Sequence, residues 1–477
     1  MSSQQYSEAP TEMSLQASQF SICVRPLFGK QQGYSMSSHC MAILVLAIAL
    51  GSTDAHALPA TDQKDAAYVG ATVYDGASAA GRPDMVIVTR AGRIAGILPA
   101  PSYQAEKGTE VISLRGKFLI PGLINSHVHL ATLANPSAAK AYLLRELYSG
   151  VTAVRDMAGD VRLLAELKRE AEFDEIPSPD IYYAAVMAGP AFFQDPRTHQ
   201  ATRGRVAGEV PWMQAVTAET NLPLAMAQAR GTGATAIKVY ADVSAPLLSA
   251  ITVEAHRQHM LVWAHAAVFP ARPSEVADAG VDVMSHACML GYEVSDPIPP
   301  AAMHPPVPVD AQKLELPNAQ LDALLSDMKQ RGTILDATLY VYFSDDTGID
   351  CKYALTAKLA GEAYRAGVLL SAGTDDEPGD SKDSFSALTQ ELILLVNDAG
   401  LTPSDAIHAA TINGARTIGR ENDMGSIEVG KIADFVVLDK DPLSDIRNVR
   451  SVYMTVKNGV GYKRSLYRPT TIQASRP

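Results

Sequence analysis

The chain has 477 residues, 47% hydrophobic and 19% charged, enough apolar material for a large core and enough length for one big domain plus a smaller one. Its 52 acidic residues outnumber 40 basic ones, giving a formal charge of -12, and no lysine or arginine cluster breaks that balance. The electrostatic footprint of a nucleic-acid binder is therefore missing, and no nucleic-acid partner is expected.

Residues 1–38 are rich in Ser and Gln without a helical or strand period and read as a disordered N-terminal extension. An apolar run from Met41 to Leu50 follows, then Gly51, Ser52 and Ala55-His56-Ala57. The run is too short to span a bilayer but fits the core of a secretory signal peptide, and Ala-x-Ala is a small-residue cleavage pattern. The expectation is cleavage after Ala57, with translation from Met1, Met36 or Met41, and a secreted or periplasmic product without a stable membrane anchor. An unprocessed chain would stay cytoplasmic. Past Ala57 only Cys288 and Cys351 remain, so disulfides do not organise the fold.

Within residues 58–120, short β-rich runs at 68–76, 85–88, 93–97 and 111–114 are divided by Gly, Asp and Pro, which predicts an antiparallel sheet. The run from Leu119 to Leu130 comes next. Pro121-Gly122 interrupts it, and His127 and His129 project from one side, a spacing that lets two imidazoles reach a single metal ion.

From there to about residue 420 strands and helices alternate. Helices are expected at 138–147 and 161–171, and strands at 151–154, 181–184, 236–239, 261–264, 281–284, 333–336 and 368–371. Together with the histidine strand these predict an α/β fold, a (β/α)8 TIM barrel spanning residues 121–420, with its chemistry at the C-terminal ends of the strands. The Pro-rich stretches 189–210 and 291–316 carry no pattern and are expected to be substrate-covering loops. After a capped helix beginning at Thr402-Pro403, residues 421–477 return to β character. Both chain ends are then predicted to build one β-sandwich beside the barrel.

Lys238 lies in the otherwise apolar strand Ala236-Ile237-Lys238-Val239. Burial there disfavours the ammonium, and a neutral amine can take up carbon dioxide as a carbamate, an anionic bidentate ligand. His265 and His286 close the next two strands, 27 and then 21 residues on, each about one βα unit, and Asp375 follows Gly373-Thr374 at the end of the eighth. Taken singly, each histidine would serve as well as a hydrogen-bonded core residue, and Lys238 as the partner of a barrel carboxylate. Asp376 and Glu377 read as solvated loop charges, and Arg155-Asp156 as a buried ion pair.

In combination, Pro121-Gly122 with His127-Val-His129, Ile-Lys238-Val, Ala-His265-Ala, Ser-His286-Ala, Gly-Thr-Asp375 and the Gly425–Asp434 segment resemble the metal-dependent amidohydrolase superfamily over about residues 67–465. The lysine on strand four with histidines on five and six resembles its Xaa-Pro dipeptidase and ochratoxinase-like branch, among the imidazolonepropionase-like amidohydrolases. That resemblance implies two divalent metal ions, Zn2+ foremost with Mn2+ or Co2+ accommodated, bridged by a carboxylated Lys238. His127, His129 and Asp375 would hold one ion and His265 and His286 the other, with Asp375 also handling protons. It implies hydrolysis of dipeptides or N-acyl amino acids, ochratoxin-type acyl-phenylalanine amides among them, by a homo-oligomer. Expected substrate contacts are Tyr240, Phe192 and Phe193 for an apolar side chain, and Arg197 or His199 for a carboxylate. Relatives often carry histidine where Thr389 stands. The alternative is a mononuclear zinc deaminase or cyclic-imide hydrolase of the same fold, although such deaminases usually place a glutamate just after the fifth-strand histidine and here His265-Ala266-Ala267 follows. A non-catalytic relative would have lost ligands, whereas all six positions are filled.

Overall fold

The computed structural model describes residues 65–76, 80–299, 309, 314–344, 352–380 and 382–469. The extension and signal peptide expected over 1–57 lie outside the described residues, as do Cys351 and much of the second long loop.

Eight parallel strands form the barrel: β1 (Leu123–Val128), β2 (Val151–Asp156), β3 (Asp180–Ala188), β4 (Ala236–Val239), β5 (Leu261–His265), β6 (Val283–Ser285), β7 (Ile334–Asp336) and β8 (Leu370–Ser371). All residues of β1, β2 and β4 are buried, as expected of parallel strands covered on both faces. The nine residues of β3 serve two neighbours in turn, β2 through Asp180–Tyr183 and β4 through Ala184–Met187. The seam closes where Ser126 N donates to Ala372 O at 2.9 Å and Val128 bridges Asp376. At that seam His127 O accepts from Thr374 N and Asp375 N, so the first and last strands hold two predicted ligands in one hydrogen-bonded ring. The first helix, Pro136–Tyr148, starts where the Asn135 side chain accepts from Ala138 N and proline occupies the first turn. In the second, Val161–Glu172, Val161, Leu164 and Leu167 make the buried stripe.

The two chain ends join in one hydrogen-bonded sheet of eight strands, ordered 460–463, 452–457, 435–438, 118–121, 66–73, 82–90 and 93–99, with 110–113 also paired to 66–73. Apolar clusters cover both faces, the larger around Tyr68, Ile87, Leu119 and Phe435 and the smaller around Ala67, Val86 and Val88. Most pairings are antiparallel as expected. Glu110–Ser113 and Phe118–Pro121 instead lie parallel to Ala66–Val73, one after the other along its edge.

Pro121-Gly122 divides the expected histidine strand in two. Phe118–Pro121 pairs with Phe435–Leu438 in the sheet, and Leu123–Val128 opens the barrel. A Cβ at Gly122 would stand 2.2 Å from Thr152 Oγ1, so only glycine lets the chain pass between the modules at this point.

The stretch 189–210 is not structureless. It contains a 3-10 turn (Pro190–Gln194), a helix (Pro196–Ala201) and a short strand (Glu209–Val210). Its prolines sit at first-turn positions, so residues that read as loop markers begin helices. Gly291 likewise falls inside a 3-10 segment, Ala287–Val294. Cys288 in that segment is disulfide-bonded. Among the described residues no helix is long and apolar enough to cross a membrane.

Candidate active site

The six predicted ligands sit at or just beyond the C-terminal ends of β1, β4, β5, β6 and β8, on one rim of the barrel. One ligand atom each from His127, His129 and Asp375 lie within 4.8 Å of one another. Asp375 Oδ1 is the point of convergence, 3.2 Å from His127 Nε2 and 3.0 Å from His129 Nε2. The opposite ring nitrogens are held from behind: His127 Nδ1 meets Asp336 Oδ2 at 2.7 Å, and His129 Nδ1 meets Ala158 O at 3.2 Å. Burial opposes a charge on His129, but the hydrogen bond and negative charge of Asp375 outweigh it and raise that imidazole to about 9. Burial likewise pushes the Asp375 carboxyl up, and the surrounding histidines overcome this and hold it well below the usual range. Two imidazoles and a carboxylate converging in this way fit a divalent cation.

Lys238 is fully buried, and burial together with the nearby Arg155 charge lowers its amine to about 7. Its Nζ contacts Ser285 Oγ at 3.2 Å and lies 5.4 Å from the centre of the Tyr240 ring. His265 packs against Tyr240 (ring centres 4.5 Å apart) and His286 (4.8 Å), and His286 reaches His127 at 5.1 Å. Burial outweighs the raising effect of the Asp375 carboxylate and lowers His286 to about 3, which leaves it neutral and able to donate a lone pair, while its Nδ1 meets Thr338 Oγ1 at 3.0 Å. His286, Thr338 and Asp375 all adopt positive φ, a local strain that the packed rim sustains.

The residue missed from sequence is Asp336, which closes β7. Its Oδ2 accepts from Arg155 Nη2 at 2.9 Å and from Ser285 Oγ at 3.2 Å as well as facing His127, so one buried carboxylate orients a ligand of one group and a neighbour of Lys238 in the other. Its place at a strand end was the available signal. Arg155 therefore pairs with Asp336 and stacks on Trp263, not with Asp156, because consecutive strand residues point to opposite faces. Asp156 Oδ2 accepts from Leu130 N instead. Asp376 is also not solvated. It is 2% exposed and takes hydrogen bonds from Tyr142 and Thr374, with Arg145 Nη2 at 3.4 Å.

A cleft of about 250 Å³ opens beside the ligands, lined by His129 and Asp375 together with Phe192, Arg197, Tyr240 and Glu377 among others. Phe192 stacks on Tyr240 at 4.9 Å. The cleft wall is fixed to β4 because Asp242 Oδ2 accepts from Ala191 N and Ala241 O from Gly189 N. Phe193 and His199 are not among the lining residues: Phe193 is buried behind Phe192, and His199 is exposed with Nε2 against Phe193 O at 2.9 Å. Arg197 reaches the cleft with its guanidinium on Asp195 at 2.7 Å. Thr389 is buried and accepts from Arg450 Nε, with no place in the cleft.

Residues 354–460 match the Amidohydrolase family. Imidazolonepropionase from Bacteroides fragilis is 39% identical over 100 residues, 20% of this chain and 24% of that protein. Ochratoxinase from Aspergillus niger is 38% identical over 86 residues, 18% and 17% of the respective chains, so these aligned stretches span less than a quarter of either relative. The folds agree over much more. A Xaa-Pro dipeptidase crystallised with bound methionine superposes with a TM-score of 0.68 at 20% identity, covering 84% of this chain and all of the other, and the Aspergillus niger ochratoxinase structure gives 0.66 at 21% identity, covering 84% and 96%. The chain therefore carries an Amidohydrolase family match over residues 354–460 and shares its barrel, with a sheet built from both chain ends, with the dipeptidase and ochratoxinase structures.

Proposed function

We propose that the protein is a binuclear metal-dependent amidohydrolase that cleaves the amide bond of dipeptides or N-acyl amino acids, ochratoxin-type acyl-phenylalanine amides included. The observation that carries the reading is the buried Lys238, its amine lowered to about 7, on the same rim as His265, His286 and the His127, His129, Asp375 cluster. A mononuclear deaminase has no use for such a lysine. His127, His129 and Asp375 would hold one ion, His265 and His286 the second, and a Lys238 carbamate both; zinc suits these nitrogen and oxygen donors, with manganese or cobalt as substitutes. When bound, such ions supply Lewis acidity that polarises a carbonyl and acidifies water.

The chain's own groups do the rest. Asp336 fixes the His127 ring so that Nε2 faces Asp375, and Ala158 O does the same for His129, which also lines the cleft. Asp375 faces both imidazoles and the cleft, where its carboxylate is placed to accept a proton from water and return it to a departing amine, a group that leaves poorly unless protonated. Phe192 and Tyr240 offer an apolar wall to the substrate. The disulfide at Cys288 supports an oxidising, secreted or periplasmic location. Homo-oligomeric assembly belongs to the same proposal and is read by light scattering.

The test is metal analysis of the purified protein alongside turnover of a panel of dipeptides and N-acyl amino acids. About two metals per chain with amide cleavage, both abolished by His127→Asn with His129→Asn, is the expected result; full hydrolysis by the metal-free double variant would refute it.

A further inference from the structure

The cleft beside the ligands carries more negative than positive charge. Asp195, Glu377 and Asp380 line it, and the one lysine or arginine among its lining residues, Arg197, is engaged by Asp195 through Nε and Nη2. Asp380 Oδ2 accepts from Glu377 N and so fixes the turn after Asp375. The Glu377 carboxylate has no hydrogen bond or ion pair among the described residues, and the half-buried residue lines the cleft together with His129 and Asp375 of the ligand cluster and Phe192 and Tyr240 of the aromatic wall. His199, the other cation expected to meet a substrate carboxylate, faces Phe193 O instead. Glu377 and Asp380 are not in the ligand set, so their charge remains when the ligands are occupied.

An α-ammonium sits one carbon from the scissile carbonyl of a dipeptide, and Glu377 is two residues from Asp375 on the same cleft. We infer that Glu377 is the specificity residue of this cleft and that it selects amides carrying an ammonium group near the scissile bond over their N-acylated or neutral counterparts. The inference rests on the amide-hydrolase reading above and chooses between its two substrate classes. An ammonium brought against a partly desolvated carboxylate gains a charge-assisted hydrogen bond that an acetamide cannot make.

The experiment compares matched substrates. Alanyl-phenylalanine against N-acetyl-alanyl-phenylalanine isolates the α-ammonium, and N-acetyl-lysyl-phenylalanine against N-acetyl-norleucyl-phenylalanine isolates a side-chain ammonium. In the wild type, kcat/KM should favour the ammonium member of one or both pairs by about tenfold or more; Glu377→Gln should bring that ratio near one, and Glu377→Lys should invert it. An unchanged ratio in Glu377→Gln, or a wild type that prefers the neutral members, overturns the proposal. Calorimetry with phosphinic analogues of alanyl-phenylalanine, with and without the amino group, reads the same preference without turnover. Ammonium-selective binding lost in Glu377→Gln but without hydrolysis would refute the amide-hydrolase reading alone, whereas hydrolysis without ammonium preference would refute the Glu377 assignment alone.

Discussion

The two halves of the ligand rim are built on opposite electrostatic plans. Around His127 and His129 the structure gathers carboxylates, Asp375 in front and Asp336 and Asp156 behind, and His129 is raised to about 9. Around Lys238, His265 and His286 it gathers rings and apolar walls, so the amine falls to about 7 and His286 to about 3. The first half must give up a proton to accept a cation, while the second holds its groups toward the neutral form and only shares carboxylates with the first, Asp375 beside His286 and Asp336 beside Ser285. A carbamate on Lys238 would give it an anion of its own, which is why an apolar setting for a lysine makes chemical sense here.

Variants can break this contrast or sharpen it. The largest effect is expected from Lys238→Ala: loss of one of two metals and most of the activity, with the bound carbon dioxide absent by native mass spectrometry. Retention of both metals would mean that the neutral half needs no carbamate. Asp336→Asn should cost about 10- to 100-fold in metal affinity or activity by loosening His127. It should also destabilise the fold by about 3–5 kcal/mol in denaturant titration, because Arg155 would remain as a buried charge without its anion.

Glu391 extends the acidic side, accepting from Leu339 N and Tyr340 N at the start of the short helix after β7. Burial raises it to about 8, the two backbone donors pull it down, and Asp336 adds to the rise. Its folded value lies above the unfolded one, so the folded state holds the proton more tightly and stability should fall as pH rises from about 4.5 to about 8. Glu391→Gln should remove that part of the slope in melting curves taken across this range; an unaltered slope would place its origin elsewhere. The smallest effects belong to Arg197 and His199. Arg197→Ala should raise KM severalfold with little change in kcat, and His199→Ala should leave KM within twofold, since its ring faces the loop backbone. A large KM effect at His199 would require that loop to rearrange on binding.

What could be read from the sequence was what local pattern carries. Alternation marks the strands, and the strand-end rule puts His127, His129, Lys238, His265, His286 and Asp375 on one rim. Partnership across the barrel could not be read that way. Arg155 sits next to Asp156 in the chain, yet pairs with a residue 181 positions away. Asp376 follows Asp375 in what reads as a loop, but barrel closure turns it inward to Tyr142 and Arg145. Proline was ambiguous in a physical sense: the same fixed φ that ends strands also starts helices, and in the 190s it does the latter. His199 is the one histidine in 189–210, and nothing local tells which way its ring turns.

The passage through Pro121-Gly122 bears on how the molecule is made. Phe118–Pro121 leaves the ribosome early, but the strand that covers its outer edge, Phe435–Leu438, is synthesised only after the entire barrel. Until then that edge is an open template next to the strand that carries His127, the kind of surface that invites pairing with the wrong chain. Completion of the sheet, and with it a fixed origin for β1, belongs to the end of synthesis, so a nascent chain stalled before residue 435 would hold its histidines on a strand anchored at one side only.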